Sequence, residues 1–214
     1  MNTDYLNLEM KGTPVRIQQA EGTFEIFSDF FNKEKIDYVI EIGTGGGWLS
    51  MFLYEQSVRH SFNFSTYDIN QNRIKPLLNY CNGTLPFDYR IKDCFEDVES
   101  IQNILANNRC VLMCDGGNKI KEVNTFSKYL QENSFIMAHD YAPNRNYFEE
   151  KLRDKIWGAF EIKDKDIYQE LTQNKTYKSK YYDHFLGAAW LSCIKSEDAS
   201  TLHSFDKVCD GKYT

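Results

Sequence analysis

The sequence predicts an α/β domain built on a doubly wound, mostly parallel sheet. Three observations carry that expectation. Five short apolar segments alternate with longer amphipathic ones, a glycine-rich loop follows the first of them, and no low-complexity linker or internal repeat interrupts the alternation. A chain of 214 residues is long enough to bury one substantial core, so a single domain over 1–214 is expected, with its core at about 10–195 and a polar tail at 196–214.

The strands are expected at Tyr38 to Ile42, Phe62 to Tyr67, Phe87 to Ile91, Cys110 to Cys114 and Phe135 to His139. Each is short, rich in aliphatic or aromatic residues and followed by a turn or polar residue. Helical patterns fill the gaps, in "WLSMFLYEQSVR", "NQNRIKPLLNY", "EDVESIQNILAN" and "NKIKEVNTFSKYLQEN". Repeated βα units of this kind place helices on both faces of a parallel sheet and ligands at the carboxyl ends of its strands. Beyond Asp140 the pattern changes. "YAPNRNYFEEKLRDKIW" reads as a polar loop entering an amphipathic helix, "KDKDIYQELTQNK" as a helix, and "FLGAAWLSCIK" as a late strand. Before the first strand the expectation is a covering helix.

Composition excludes some classes of partner. The formal net charge is −6, so a nucleic acid would meet a repulsive mean field, and none is expected as a partner. No apolar run reaches the ~20 residues of a membrane span, and "MNTDYLNLEM" lacks the basic and apolar regions of a signal peptide. A cytoplasmic protein with no membrane partner is therefore expected. The six cysteines, at 81, 94, 110, 114, 193 and 209, form no C-x-x-C pair and are read as free thiols.

The loop "EIGTGGGW" narrows the ligand. Gly43, Gly45 and Gly47 allow a tight turn and a close approach of backbone to ligand, while the following helix points free N–H groups into the same space. A P-loop would continue with Lys-Ser/Thr, but Trp48 and Leu49 follow. A dinucleotide fingerprint needs glycine where Trp48 stands. Glu41, two residues before Gly43, would repel a pyrophosphate and suits a cationic ligand. Asp68 ends the second strand in "FSTYDIN", 21 residues beyond Gly47, where an acid in this fold class accepts hydrogen bonds from ribose hydroxyls. Asp93 ends the third in "YRIKDCF".

The pattern Glu41-x-Gly43-x-Gly45-x-Gly47, followed by Asp68 and Asp93, resembles the first motifs of the class I S-adenosylmethionine-dependent methyltransferases. The resemblance implies a Rossmann-like methyltransferase fold with a seven-stranded sheet whose last strand is antiparallel. It implies S-adenosylmethionine as cofactor, held by Glu41, Gly43, Thr44, Gly45, Gly47, Asp68, Asp93, Cys94 and Asp115, with the region of Asp93 and the neighbouring backbone N–H at the adenine.

The fourth and fifth strands end in "VLMCDGG" and "SFIMAHDY", so Asp115, His139 and Asp140 should meet at the same sheet edge. The stretch "DGGNKIKEVNTFSKYLQENSFIMAHD" is similar to the macrocin O-methyltransferase and cephalosporin hydroxylase-like group. There the corresponding residues bind a divalent metal, which the resemblance carries over to Asp115, His139 and Asp140. Asn118 departs from the histidine often found in that group, and His139 from the usual acid. Carboxylates suit Mg²⁺ while an imidazole shifts the preference toward Mn²⁺ or Fe²⁺. Two metal-free readings stand beside it. His139 is a general base for an acceptor hydroxyl, or His139 and Asp140 serve only to hydrogen-bond and cap.

The activity implied is methyl transfer to a small-molecule oxygen acceptor, with Asp115, His139 and Asp140 in the catalytic roles. The segment 141–157, with Pro143, Arg145, Tyr147 and Trp157, is placed as a substrate lid, although Phe148, Leu152 and Ile156 fall at the spacing of a core-facing helix. Trp48 and Met51 are read as core, Cys94 and Cys114 as inert, and His60, His184 and His203 are given no role. The alternatives are a cofactor-binding protein of the cephalosporin hydroxylase-like group without transferase activity, and a nucleic-acid methyltransferase. A homo-oligomer stays open.

Overall fold

Strands β1 (Tyr38–Ile42), β4 (Cys110–Cys114) and β5 (Phe135–Ala138) carry apolar side chains at almost every position, because both faces of the sheet at its centre are covered. Alternate residues divide between two cores. Val39, Met113 and Met137 face Phe27, Phe52 and Trp190 on one side; Ile40, Leu112 and Ile136 face Leu105, Val123 and Ile167 on the other. The computed structural model describes residues 19–154, 159–198, 200 and 205, with the backbone of a small ribbon at Glu9–Met10 and Thr13–Pro14. Ile156, Trp157, His203, Cys209 and most of the tail lie outside the described residues.

The remaining strands are β2 (Asn63–Asp68), β3 (Asp88–Ile91), β6 (Thr176–Lys178) and β7 (Leu191–Lys195), and the sheet order is β3-β2-β1-β4-β5-β7-β6. The first five run parallel, while β7 is antiparallel to both β5 and β6. The seven-stranded, mostly parallel sheet with an antiparallel last strand is as expected.

Helices α1 (Thr23–Lys33) and α2 (Trp48–His60) pack on the first core, and α4 (Val98–Asn107), α5 (Lys119–Phe126) and α6 (Asp164–Gln173) on the second. Helix α3 (Lys75–Tyr80) sends Leu77 to the first core, and α7 (Tyr182–Leu186) leads into β7. Helix α1 shows why such segments form. Phe24, Phe27 and Phe31, at spacings of three and four, make one buried stripe.

Several boundaries differ from the sequence expectation, among them the end of β5, which stops at Ala138 with His139 just beyond it. Asn63 and Asp88, not Phe62 and Phe87, begin their strands; Phe62 and Phe87 pack against the first core just outside them. Helix α5 stops at Phe126 and gives way to a 3₁₀ turn at Ser127–Tyr129. Strand β6 was not foreseen: three residues, Thr-Tyr-Lys, are too few to show a period.

Register decides where chemistry can gather. Ile42 pairs with Tyr67 and with Cys114, and Cys114 pairs with Ala138. The next residues along, Gly43, Asp68, Asp115 and His139, therefore form one row at the carboxyl edge. Strand order reverses between β1 and β4, which is where a doubly wound sheet opens its crevice. Among the described residues no helix is long and apolar enough to cross a membrane.

Candidate functional site

A cleft of about 920 Å³ lies along that edge, lined at one end by residues 43–48, Asp68, Asp93 and Cys94 and at the other by Asp115, Lys119, His139, Asp140 and Glu161. Glycine is required at Gly43. Its φ is +95°, and an added Cβ would lie 2.1 Å from the carbonyl oxygen of Asp115. Gly47 has φ +81° at the start of α2, and there a Cβ would meet Leu77 at 2.6 Å. The loop thus lies flat against β4 and α3 and exposes its backbone to the cleft.

Asp68 holds the loop from the side. Its carboxylate accepts the Gly45 N–H at 2.8 Å and the Asn70 N–H at 2.8 Å, one on each oxygen. Each oxygen keeps a lone pair for a further donor. Beneath the loop Glu41 is fully buried and accepts from the hydroxyls of Ser50 and, at 2.6 Å, Thr66. Thr44 completes this net with a 2.6 Å bond to Thr66. Burial pushes the Glu41 carboxyl up to about 8, and its Oε1 has no partner. Asp93 caps the 3₁₀ turn at Cys94–Glu96 by accepting the Phe95 N–H at 2.9 Å, and buried Cys94, its thiol pushed up to about 12 by burial, sits behind it. Of the cofactor-side residues expected from sequence, Glu41, Gly43, Thr44, Gly45, Gly47, Asp68, Asp93 and Cys94 lie at this end, and Asp115 lines the other.

At the other end the structure brings Asp115, His139 and Asp140 together, as the sequence placed them. His139 Nδ1 lies 3.1 Å from Asp115 Oδ1 and 3.8 Å from Asp140 Oδ1, and its ring stacks on Trp190 at 4.7 Å between centroids. Burial opposes charge on His139, yet Asp115 and Asp140 win and hold its pKa above the ordinary value. Burial raises the Asp140 carboxyl despite His139 and Lys119. Asp140 has φ +55°, a left-handed conformation at the end of a strand, which aspartate tolerates better than most residues.

Lys119, Glu161 and Glu122 were missed. The Lys119 ammonium is 3.0 Å from Asp140 Oδ2, 2.8 Å from Glu161 Oε2 and 3.7 Å from Asp115 Oδ1, and it donates to the Gly116 carbonyl at 3.2 Å. Burial alone would lower its pKa; Asp115 and Asp140 raise it instead. Glu161 arrives from 21 residues downstream because the Asp140 carbonyl accepts its N–H at 2.9 Å and Tyr141 bridges to Ile162. Glu122 is buried and accepts the N–H groups of Gly116 at 3.2 Å and Asn118 at 3.1 Å, shaping the turn that carries Asp115; burial raises its carboxyl to about 7. Asn118 caps α5 by accepting the Lys121 N–H at 3.0 Å. Glu122 falls four residues after the cap Asn118, one beyond the spacing of a capping box, so no start signal marked it.

A metal's donor set is present in part: Asp115, His139 and Asp140 each offer one atom within 4.8 Å of the others. The Lys119 ammonium already bridges two of these three residues, so the set does not fit a resident divalent ion. Among the described residues of 141–154 none lines the cleft, and Phe148 and Leu152 are buried against Ala142, Ala189 and Phe160. The core-facing alternative for that segment therefore describes it better than a lid. Trp48 belongs to the core and also lines the cleft.

The sequence matches no protein-family model and no curated protein. Solved structures do match in shape. The apo structure of CmcI-N160 matches with a TM-score of 0.58 at 10% identity, over 89% of this chain and 77% of that one. An O-methyltransferase family protein from Burkholderia thailandensis gives 0.52 at 9% identity over 80% of this chain; the match spans only 56% of the Burkholderia protein. The (4+2)-cyclase SpnF gives 0.52 at 8% identity, over 91% and 93%. The chain has a Rossmann-like methyltransferase fold. At such identities the likeness is one of fold, and the same fold serves a cyclase.

Proposed function

We propose that the chain is an S-adenosylmethionine-dependent methyltransferase acting on an oxygen atom of a small-molecule acceptor. The observation that supports it is the glycine loop that lies against β4 with the carboxylates of Asp68 and Asp93 beside it in the cleft and buried Glu41 beneath. Such a pair of carboxylates suits a ligand rich in hydrogen-bond donors and repels a pyrophosphate. When bound, S-adenosylmethionine supplies a methyl group on a positively charged sulfur, which leaves as a neutral thioether. Asp68 has the lone pairs to accept both ribose hydroxyls, and Glu41 braces the loop from below through Ser50 and Thr66. The turn at Asp93 and Cys94 faces the base.

The acceptor end then has to align an oxygen and remove its proton. His139, held by Asp115, is the group that takes the proton. Glu122 acts through the turn at Gly116 and positions Asp115. A cleft of about 920 Å³ has room for the cofactor and a small acceptor together. No divalent metal and no nucleic acid enter this reading.

Titration of S-adenosylhomocysteine into the chain by calorimetry tests the cofactor half. Asp68→Ala removes charge-assisted bonds worth about 1.5–3 kcal/mol each, so affinity should fall at least about tenfold. Equal binding by both proteins would refute the assignment. A second reading is a protein that binds the cofactor without transferring a methyl, since the fold shared with the cyclase SpnF is not tied to methyl transfer. Release of S-adenosylhomocysteine in the presence of hydroxylated acceptors separates the two.

A further inference from the structure

We propose that the Lys119 ammonium is a built-in cation that closes the acidic centre of Asp115, His139 and Asp140 to a divalent metal. As an account of the acceptor end this rests on the methyltransferase reading; as an account of what the centre binds it does not. Lys119 is 6% exposed, and lysine is almost never buried unless paired. Its three N–H donors are matched by three oxygens, Asp140 Oδ2 at 3.0 Å, Glu161 Oε2 at 2.8 Å and Gly116 O at 3.2 Å, with Asp115 Oδ1 just beyond at 3.7 Å. The ammonium is saturated.

Its place on α5 reinforces the point. Lys119 is the first residue of the helix, where the macrodipole favours anions and opposes a cation. The carboxylates around it are what hold it there. Asp115 and Asp140 are also the carboxylates of the candidate metal set, with His139 Nδ1 turned to Asp115 at 3.1 Å; Lys119 takes Oδ2 of Asp140, and Oδ1, on the His139 side, has no hydrogen-bond partner among the described residues. An ion held by that oxygen, Asp115 and His139 would lie beside the ammonium and must either bear that like charge or expel it, and a buried lysine stripped of its partners is costly. One positive charge carried by the chain thus takes over the task of compensating the cluster.

The test uses Mn²⁺ as probe, with its free concentration followed by electron paramagnetic resonance during titration of the full chain. Wild type should show no site tighter than about 1 mM. Lys119→Gln should gain at least about tenfold in Mn²⁺ affinity, and adding Asp140→Asn should abolish the gain. Lys119→Arg, which keeps the charge, should stay like wild type. Circular dichroism on each variant checks folding, and Lys119→Met replaces any Gln variant that fails it. Micromolar Mn²⁺ binding by wild type would overturn the proposal, as would folded Lys119 variants that bind no better than wild type. S-Adenosylhomocysteine titrated separately, without metal, reports on the cofactor reading, so failure of one leaves the other readable.

Discussion

The two ends of the cleft are built on different plans. At the cofactor end most contacts fall within one motif and the strand beside it: Glu41 with Ser50 and Thr66, Asp68 with Gly45 and Asn70, Asp93 with Phe95. At the acceptor end Lys119 on α5, His139 and Asp140 beyond β5, and Glu161 before α6 are brought together by contacts spanning up to 42 residues. Both ends need the sheet, since Gly45 with Asp68 and Glu41 with Thr66 span 23 and 25 residues, but the second also draws on a helix start and on a loop well beyond β5. A fold can therefore keep the first while the second is rebuilt, which is how one architecture hosts different chemistries.

The sharpest way to separate the ends is His139→Gln. Methyl transfer should fall by about 10²–10⁴, the usual worth of a general base, while S-adenosylhomocysteine affinity changes less than about twofold. Parallel loss of both would mean the ends are not separable. Gly43→Ala attacks the seam between them, since its Cβ would overlap the Asp115 carbonyl in a backbone conformation unfavourable to alanine. A loss of about 3 kcal/mol in urea unfolding is expected, together with weaker cofactor binding. A variant as stable as wild type would show that the loop can lift off β4.

The effect spread most gradually concerns Glu41 and is read in pH. Its folded pKa, about 8, lies above the ordinary carboxyl value of 4.5. Its contribution is fully present below the unfolded value and is lost as pH rises toward the folded one, because the unfolded chain ionises first. Stability should thus decline from pH 5 to pH 8, and Glu41→Gln should flatten the decline. An unchanged slope in unfolding at pH 5, 7 and 8 would place the sensitivity elsewhere, with Glu122 the next group to replace.

This contrast also explains how much of the molecule could be read in advance. The strands β1 and β4 are buried on both faces and written as apolar runs, broken only by Glu41 in β1, so their limits were visible. Gly43, Asp68 and Asp93 were visible because turn chemistry and strand ends fix them locally. Asp115, His139 and Asp140 followed from their places at strand ends. Lys119 was not legible, since a lysine in the first turn of a helix normally points to water and only a buried cluster reverses that. Glu161 owes its position to one backbone bridge between Tyr141 and Ile162, for which a sequence has no periodicity. The segment 141–157 read as a lid because it directly follows His139 and Asp140 and carries Pro143, Arg145, Tyr147 and Trp157, yet Phe148 and Leu152 anchor its described part to the core.

The stack of Trp190 on His139 has an optical consequence. Trp190 is fully buried and donates its indole N–H to Gln19 at 3.0 Å, while Trp48 lies at the other end of the cleft. An imidazolium quenches the fluorescence of an indole in contact with it, whereas a neutral imidazole does so much less. The emission of Trp190 therefore follows the protonation of His139, and that of Trp48 follows what enters beside the glycine loop. With Trp157 replaced by phenylalanine, the chain would carry one intrinsic lamp at each end of its cleft.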